Sequence, residues 1–189
     1  MKKNLISFFF VLLLSGSAAH AQRFAISNNL VFDLAGALSA GVEVPFSKKS
    51  SFAAYGSLRP WKRGTDHVHK HWIVETQYRY YTCQVMNGFF FGPYAHGGQF
   101  NLANSTLPFN LLSGLKSSRY EGWLLGCGFG VGYEYALAKH WNLGAEVGCG
   151  YTYINYRKYE CEVCGPEKED DNYHYFGLSK LALSIIYVF

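Results

Sequence analysis

From Gly122 to Leu137 the chain alternates without a break: Trp123, Leu125, Cys127, Phe129, Val131, Tyr133, Tyr135 and Leu137 hold the odd positions, and Gly122, Leu124, Gly126, Gly128, Gly130, Gly132, Glu134 and Ala136 the even ones. A period of two is the side-chain period of a β-strand. One face is bulky and apolar, while the other is mostly glycine with a single acid. That is unlike a strand packed between two layers of a soluble core. Lipid outside and a narrow lumen inside would satisfy both faces at once.

The same pattern recurs along the chain. Trp141, Leu143, Ala145, Val147, Cys149, Tyr151 and Tyr153 share one face of the next segment, and Trp72, Val74, Thr76, Tyr78 and Tyr80 share one face of an earlier segment. Both faces end in aromatic residues, as the interfacial girdle of a membrane barrel does. Composition agrees: 49% apolar and 18% aromatic residues can bury a core, so a wholly disordered chain is excluded, and only 16% charged residues with 2 Met argue against a helical bundle. Strand-like segments are predicted at 24–36, 38–46, 51–60, 70–82, 88–98, 120–137, 141–156 and 173–189, eight in all. The connections 47–50, 83–87 and 138–140 are short, and 61–69, 99–119 and 157–172 are long. Short turns on one side and long loops on the other suit an eight-stranded antiparallel up-and-down transmembrane β-barrel, an all-β fold.

The two ends of the sequence carry addresses. Met1-Lys2-Lys3, the apolar run Leu5 to Leu14 and the small residues of Ala19-His20-Ala21 make residues 1–21 a secretory signal peptide, leaving 22–189 as one barrel domain. Residues 1–21 hold two lysines and no acid, so cleavage takes the net charge from +4 to 4 − 2 = +2. A nearly neutral chain is a poor nucleic-acid binder. At the other end, Leu181, Leu183, Ile185 and Tyr187 alternate up to a terminal Phe189. This resembles the insertion signal of outer-membrane barrels and implies delivery to the barrel-assembly machinery.

An eight-stranded barrel holds side chains but no wide channel. The inward register carries Asp33, Glu43, Glu75, Glu134 and Glu146 together with Arg59, Arg79 and Lys180, which predicts an interlocking lumenal charge network that plugs the barrel.

Other clusters are weaker. His67, His69 and His71 alternate in a loop; solvated rim residues are the plain reading, and a transition-metal chelate needs a further ligand from elsewhere. Cys161 and Cys164 form a C-x2-C turn, for which a loop disulfide in an oxidising compartment is favoured over free thiols or half of a metal site. Cys127 and Cys149 fall opposite one another if the intervening turn centres on Ala138. Glu167 to Asp171 reads as an acidic loop tip. There is no Gly-x-Ser-x-Gly elbow, and His96, near the outer end of its strand, is the one candidate for lipid-modifying chemistry.

The run Lys70-His71-Trp72-Ile73-Val74-Glu75-x-Gln77-Tyr78-Arg79-Tyr80 resembles an uncharacterised family of Bacteroidetes-type exported proteins, domain-of-unknown-function family 3575. So do Asn87-Gly88-x-Phe90-Phe91-Gly92, Arg119-Tyr120-Glu121-Gly122-Trp123, His140-Trp141-Asn142-Leu143 and the close from Gly177-Leu178-Ser179-Lys180 to Phe189. The resemblance implies a small outer-membrane barrel associated with fimbria-type surface structures, and it brings no catalytic residues. The expected function is therefore non-enzymatic. The barrel sits among outer-membrane lipid and lipopolysaccharide, without a cofactor, and its outer loops, 99–119 with Asn101, Asn104, Asn110 and Arg119 among them, contact fimbrial or other surface material. The alternatives are a lipid-modifying outer-membrane enzyme and a soluble periplasmic, lipocalin-like ligand binder, the latter disfavoured by the glycine and charge stripe.

Overall fold

Asn29 ends the first strand well before its predicted limit. In the computed structural model, which describes residues 24–61, 68–103, 119–159 and 167–189, β1 spans Ala25–Asn29 and a single helical turn, α1, follows at Leu30–Leu34. The Asn29 side chain accepts the Val31 N–H at 3.0 Å, capping the turn. Ser39 Oγ holds the same junction from the neighbouring strand, accepting from Asn29 N at 2.9 Å and donating to Asn29 O at 3.2 Å. Gly36, with φ of +77°, then reverses the chain.

The other strands are β2 (Leu38–Pro45), β3 (Ser50–Arg59), β4 (Val68–Tyr81), β5 (Gly88–Ala103), β6 (Arg119–Ala136), β7 (Trp141–Tyr159) and β8 (Glu167–Val188). Each pairs antiparallel with its sequence neighbours, and β1 pairs with β8, so eight strands close one ring-like sheet with almost no helix. The strands next to the long connections run farther than periodicity suggests. The predicted acidic tip Glu167 to Asp171 lies within β8, because the β7 ladder continues through Tyr156, Arg157 and Lys158 opposite Asp171, Asp170 and Glu169.

The faces follow the alternation. Trp123, Leu125, Phe129, Val131, Tyr133 and Tyr135 are exposed on the outside, and the glycines between them face inward. Outward aromatics gather toward both ends of the ring. At the short-turn end Phe24 stacks on Phe189 at 4.2 Å, and Trp141 meets Tyr187 edge-on at 5.0 Å. Toward the other end Trp123 lies 5.4 Å from Tyr153. Val42, Val74, Leu125, Val147, Leu181 and Leu183 expose aliphatic surface between them.

The glycine stripe makes room for partners inside. A methyl group added at Gly128 would come within 2.6 Å of the Tyr94 hydroxyl, one at Gly130 within 2.6 Å of Glu146 Oε1, and one at Gly148 within 2.7 Å of the Tyr94 ring. Tyr94 from β5 and Glu146 from β7 thus fill what the glycines leave empty. Ala25, Met86 and Ile186 close the short-turn end of the interior, and Phe100, Leu102 and Tyr120 form a second apolar cluster at the opposite end.

Candidate functional site

Between those two apolar ends lies a charged centre built from inward-facing positions on five strands. Gln77, Arg79 and Tyr81 point inward in succession from β4, Glu43 comes from β2, Glu134 from β6, Glu146 from β7 and Lys180 from β8. Arg79 is the hub. Its Nη1 donates to Glu43 Oε2 at 2.7 Å and to Glu134 Oε1 at 2.9 Å, its Nη2 to Glu146 Oε2 at 2.6 Å, and its Nε to Gln77 Oε1 at 2.9 Å. The guanidinium also lies over the Phe90 ring, 4.2 Å from its centroid.

Lys180 forms the second hub. Its Nζ forms ion pairs with Glu75 Oε1 at 2.5 Å and Glu146 Oε1 at 2.8 Å and donates to Gln77 Oε1 at 2.8 Å. Tyr81 OH is shared between Glu43 Oε1 at 2.7 Å and Glu134 Oε1 at 2.8 Å, and Ser51 Oγ donates to Glu43 Oε1 at 2.6 Å. Burying these charges is tolerable because hydrogen bonds and opposite charges take the place of water.

Six of the eight expected network members, Glu43, Glu75, Arg79, Glu134, Glu146 and Lys180, converge here. Asp33 does not, because the helical turn after Asn29 carries it off the strand register and leaves it exposed. Arg59 is buried and inward but sits eight residues along β3 from Ser51, the residue opposite Arg79, a separation of about 26 Å at ~3.3 Å per residue. There it donates to the Ala35 carbonyl at 2.7 Å, holding the turn after α1. Sequence reasoning missed Gln77, Tyr81 and Ser51, which share the inward parity and carry the connecting hydrogen bonds.

The ladder register arranges inward residues in rows around the ring. One row runs Glu75, His96, Gly126, Thr152, Tyr175 across β4 to β8, and the next toward the long connections runs Ile73, Gly98, Leu124, Ile154, Tyr173. Apart from the two glycines, these rows line a cavity of about 320 Å³ that also reaches Lys180, Arg79 and Glu146. Because β5 extends to Ala103, His96 is a mid-strand interior residue and not a rim residue. Its Nε2 meets Thr152 Oγ1 at 3.1 Å. Glu75 faces it across the ladder but is drawn onto Lys180, so the imidazole lacks the carboxylate that orients a general base.

The remaining candidates divide. The β6–β7 turn centres on Lys139, with Ala136 opposite Asn142, and this sets Cys127 against Tyr151 and Cys149 against Phe129. The predicted opposition of the two cysteines is thus displaced by two residues, and Cys83, Cys127 and Cys149 are free and exposed. His71 is half-buried and meets Ser57 Oγ at 3.2 Å, whereas His67 and the side chain of His69 lie outside the described residues. Cys161, Cys164, Asn104, Asn110 and the expected signal segment 1–21 also lie outside them. Arg119 Nε donates to Asn101 Oδ1 at 3.0 Å, bridging β5 and β6 where the 104–118 connection begins.

A family model described as "Protein of unknown function (DUF3575)" matches residues 7–189. No curated protein matches the chain.

Proposed function

The chain belongs to the uncharacterised family DUF3575, and on that premise we propose that it is a non-enzymatic, eight-stranded outer-membrane β-barrel. In this reading residues 1–21 direct export and are removed. The barrel-assembly machinery recognises the last strand through Leu181, Leu183, Ile185, Tyr187 and Phe189, and residues 22–189 sit among outer-membrane lipid and lipopolysaccharide. The charged centre plugs the bore, and the end bearing the long connections contacts fimbrial or other surface polymers.

The observation that carries this reading is the outer face of the closed sheet: an exposed aliphatic band between two sets of exposed aromatics. On β6 the outward aromatics Trp123 and Tyr133 are ten residues apart, about 33 Å along the strand and roughly 23 Å along the axis at a ~45° tilt. That span fits the apolar band of an outer-membrane barrel, ~25 Å tall. A water-exposed sheet gains nothing from such a surface, whereas lipid removes it from water on all sides.

Cell fractionation with heat-modifiable migration tests the reading. Recovery in the outer-membrane fraction, with a folded species that shifts on boiling, is the expected result. Recovery as a freely soluble periplasmic protein would overturn it. For surface contacts, deleting 104–118 from a protein that still inserts should abolish adhesion to fimbriated or polymer-coated cells; undiminished adhesion would refute that part.

A further inference from the structure

We propose that the interior cavity beside the charged centre is a binding site for a small organic cation, a primary ammonium on a compact apolar body, with Glu75 and His96 receiving the ammonium. The cavity extends from the bore to Leu181 on the outer face, so the test is made on the protein in lipid.

Charge and hydrogen-bond supply determine the class of ligand. The centre contains four carboxylates, Glu43, Glu75, Glu134 and Glu146, and two cations, Arg79 and Lys180, a formal sum of 2 − 4 = −2. Its donors are nearly used up. Lys180 Nζ donates to Gln77 and pairs with Glu75 and Glu146, Glu75 Oε1 has no hydrogen-bond partner among the described residues, and four of the five N–H groups on Arg79 go to Gln77, Glu43, Glu134 and Glu146. Acceptors remain in surplus, since each ionised carboxylate can take about four hydrogen bonds. An anionic ligand would find few donors and an excess of negative charge; a cation supplies both what is missing.

Geometry selects the point of attachment. The side chain of Glu75 is 15% exposed, against 0% for Glu134 and 3% for Glu146, so it is the carboxylate of the cavity lining that open space reaches. His96 is its cross-strand partner in the same inward row, the position from which a neighbouring side chain meets the same ligand group. His96 is nine-tenths buried, and while its Nε2 engages Thr152 Oγ1, its Nδ1 has no hydrogen-bond partner among the described residues. With the proton on Nε2 donated to Thr152, Nδ1 is left as an acceptor. An ammonium with three donors matches one carboxylate and one imidazole nitrogen.

The body of the ligand is set by the next row. Ile73, Leu124, Ile154 and Tyr173 make an apolar wall directly above the polar ledge, and Gly126 leaves the space that the His96 ring occupies, since a methyl group there would come within 2.6 Å of His96 Nε2. A volume of about 320 Å³ lies at the small end of ligand pockets, room for a single ring or a short branched chain beside its ammonium.

The test uses the full mature chain in lipid nanodiscs with isotope-labelled histidine, titrated with benzylammonium, benzyl alcohol and benzoate, and empty nanodiscs as the partition control. His96→Gln identifies the His96 ring signals among those of the 7 − 1 = 6 histidines that remain once His20 leaves with residues 1–21. The expected result is a saturable shift of the His96 signals with benzylammonium, at least tenfold weaker binding of benzyl alcohol, no binding of benzoate, and at least tenfold weaker benzylammonium binding by Glu75→Gln. Equal binding of the three probes, an unmoved His96, or a Glu75→Gln protein that binds unchanged would overturn the proposal. Ile154→Trp fills the cavity without altering any charge and serves if Glu75→Gln does not fold: loss of the shift supports the site, and a retained shift overturns it.

Discussion

Replacing Arg79 with methionine isolates the energetic role of the charged centre. The substitution keeps a long, unbranched side chain to occupy the space but removes hydrogen bonds to Glu43, Glu134 and Glu146 at 2.7, 2.9 and 2.6 Å. The formal charge of the centre goes from 2 − 4 = −2 to 1 − 4 = −3, with Lys180 alone to offset it. Breaking one buried ion pair typically costs about 3–5 kcal/mol, because the stranded charge is left desolvated. The three carboxylates share one guanidinium, so the cost is not tripled, and the expected loss is about 3–5 kcal/mol. At 1.4 kcal/mol per factor of ten, that is roughly two to three and a half orders of magnitude in the folding equilibrium. Urea unfolding of the refolded protein in lipid vesicles, read by heat-modifiable migration, measures it. Adding Glu134→Gln removes one stranded charge, so the double variant should recover about 0.5–3 kcal/mol, the usual coupling within one network. A loss below about 1 kcal/mol for Arg79→Met, or a double variant less stable than the single one, would refute the hub.

Four further outcomes follow from the same geometry. Tyr81→Phe deletes the hydroxyl shared by Glu43 and Glu134 and should cost about 1.5–3 kcal/mol in the same unfolding assay; a neutral result would mean the carboxylates do not depend on it. In Gly132→Ala the new methyl would press hardest on the Phe90 ring and come within 2.7 Å of the Ala145 carbonyl, an overpacking worth about 1–3 kcal/mol that Phe90→Leu should partly relieve; no relief would show that the backbone contact dominates. Phe129→Arg puts a charge midway along the proposed lipid face and should destabilise the membrane-inserted protein by about 2–4 kcal/mol, whereas equal stability of variant and parent would count against lipid contact. In nanodiscs, with Cys161→Ser and Cys164→Ser in place, a charged maleimide should modify Cys83 in its turn and spare Cys127 and Cys149 until the protein is unfolded; rapid labelling of all three would argue that their strands face water.

Much of the centre could be read from parity. Once Glu134 is fixed as inward by its glycine neighbours, and Lys180 by the bulky alternation ending at Phe189, the same period assigns Glu43, Glu75, Arg79 and Glu146 to the interior. Parity fails where the chain leaves the strand, and so it misplaced Asp33 beyond the Asn29 cap. It also says nothing about height along the axis, and for that reason Arg59 was grouped with residues that lie far from it. Gln77, Tyr81 and Ser51 were visible by the same rule but were overlooked because neutral polar residues do not announce a charge network.

The sequence by itself determined which face each strand residue occupies, because the two-residue period is a local property of the backbone and the contrast between glycine and bulky side chains is written along β6 and β7. It also determined the eight strands and the alternation of short and long connections. Only the tertiary structure decided which inward residues meet. That depends on the stagger between neighbouring strands and the closure of β1 on β8, a property of the whole ring that no single segment carries. The stagger brings Arg79 to three carboxylates at once, turns His96 from an expected rim residue into the partner of Thr152, and sets a polar row beneath an apolar one around the cavity.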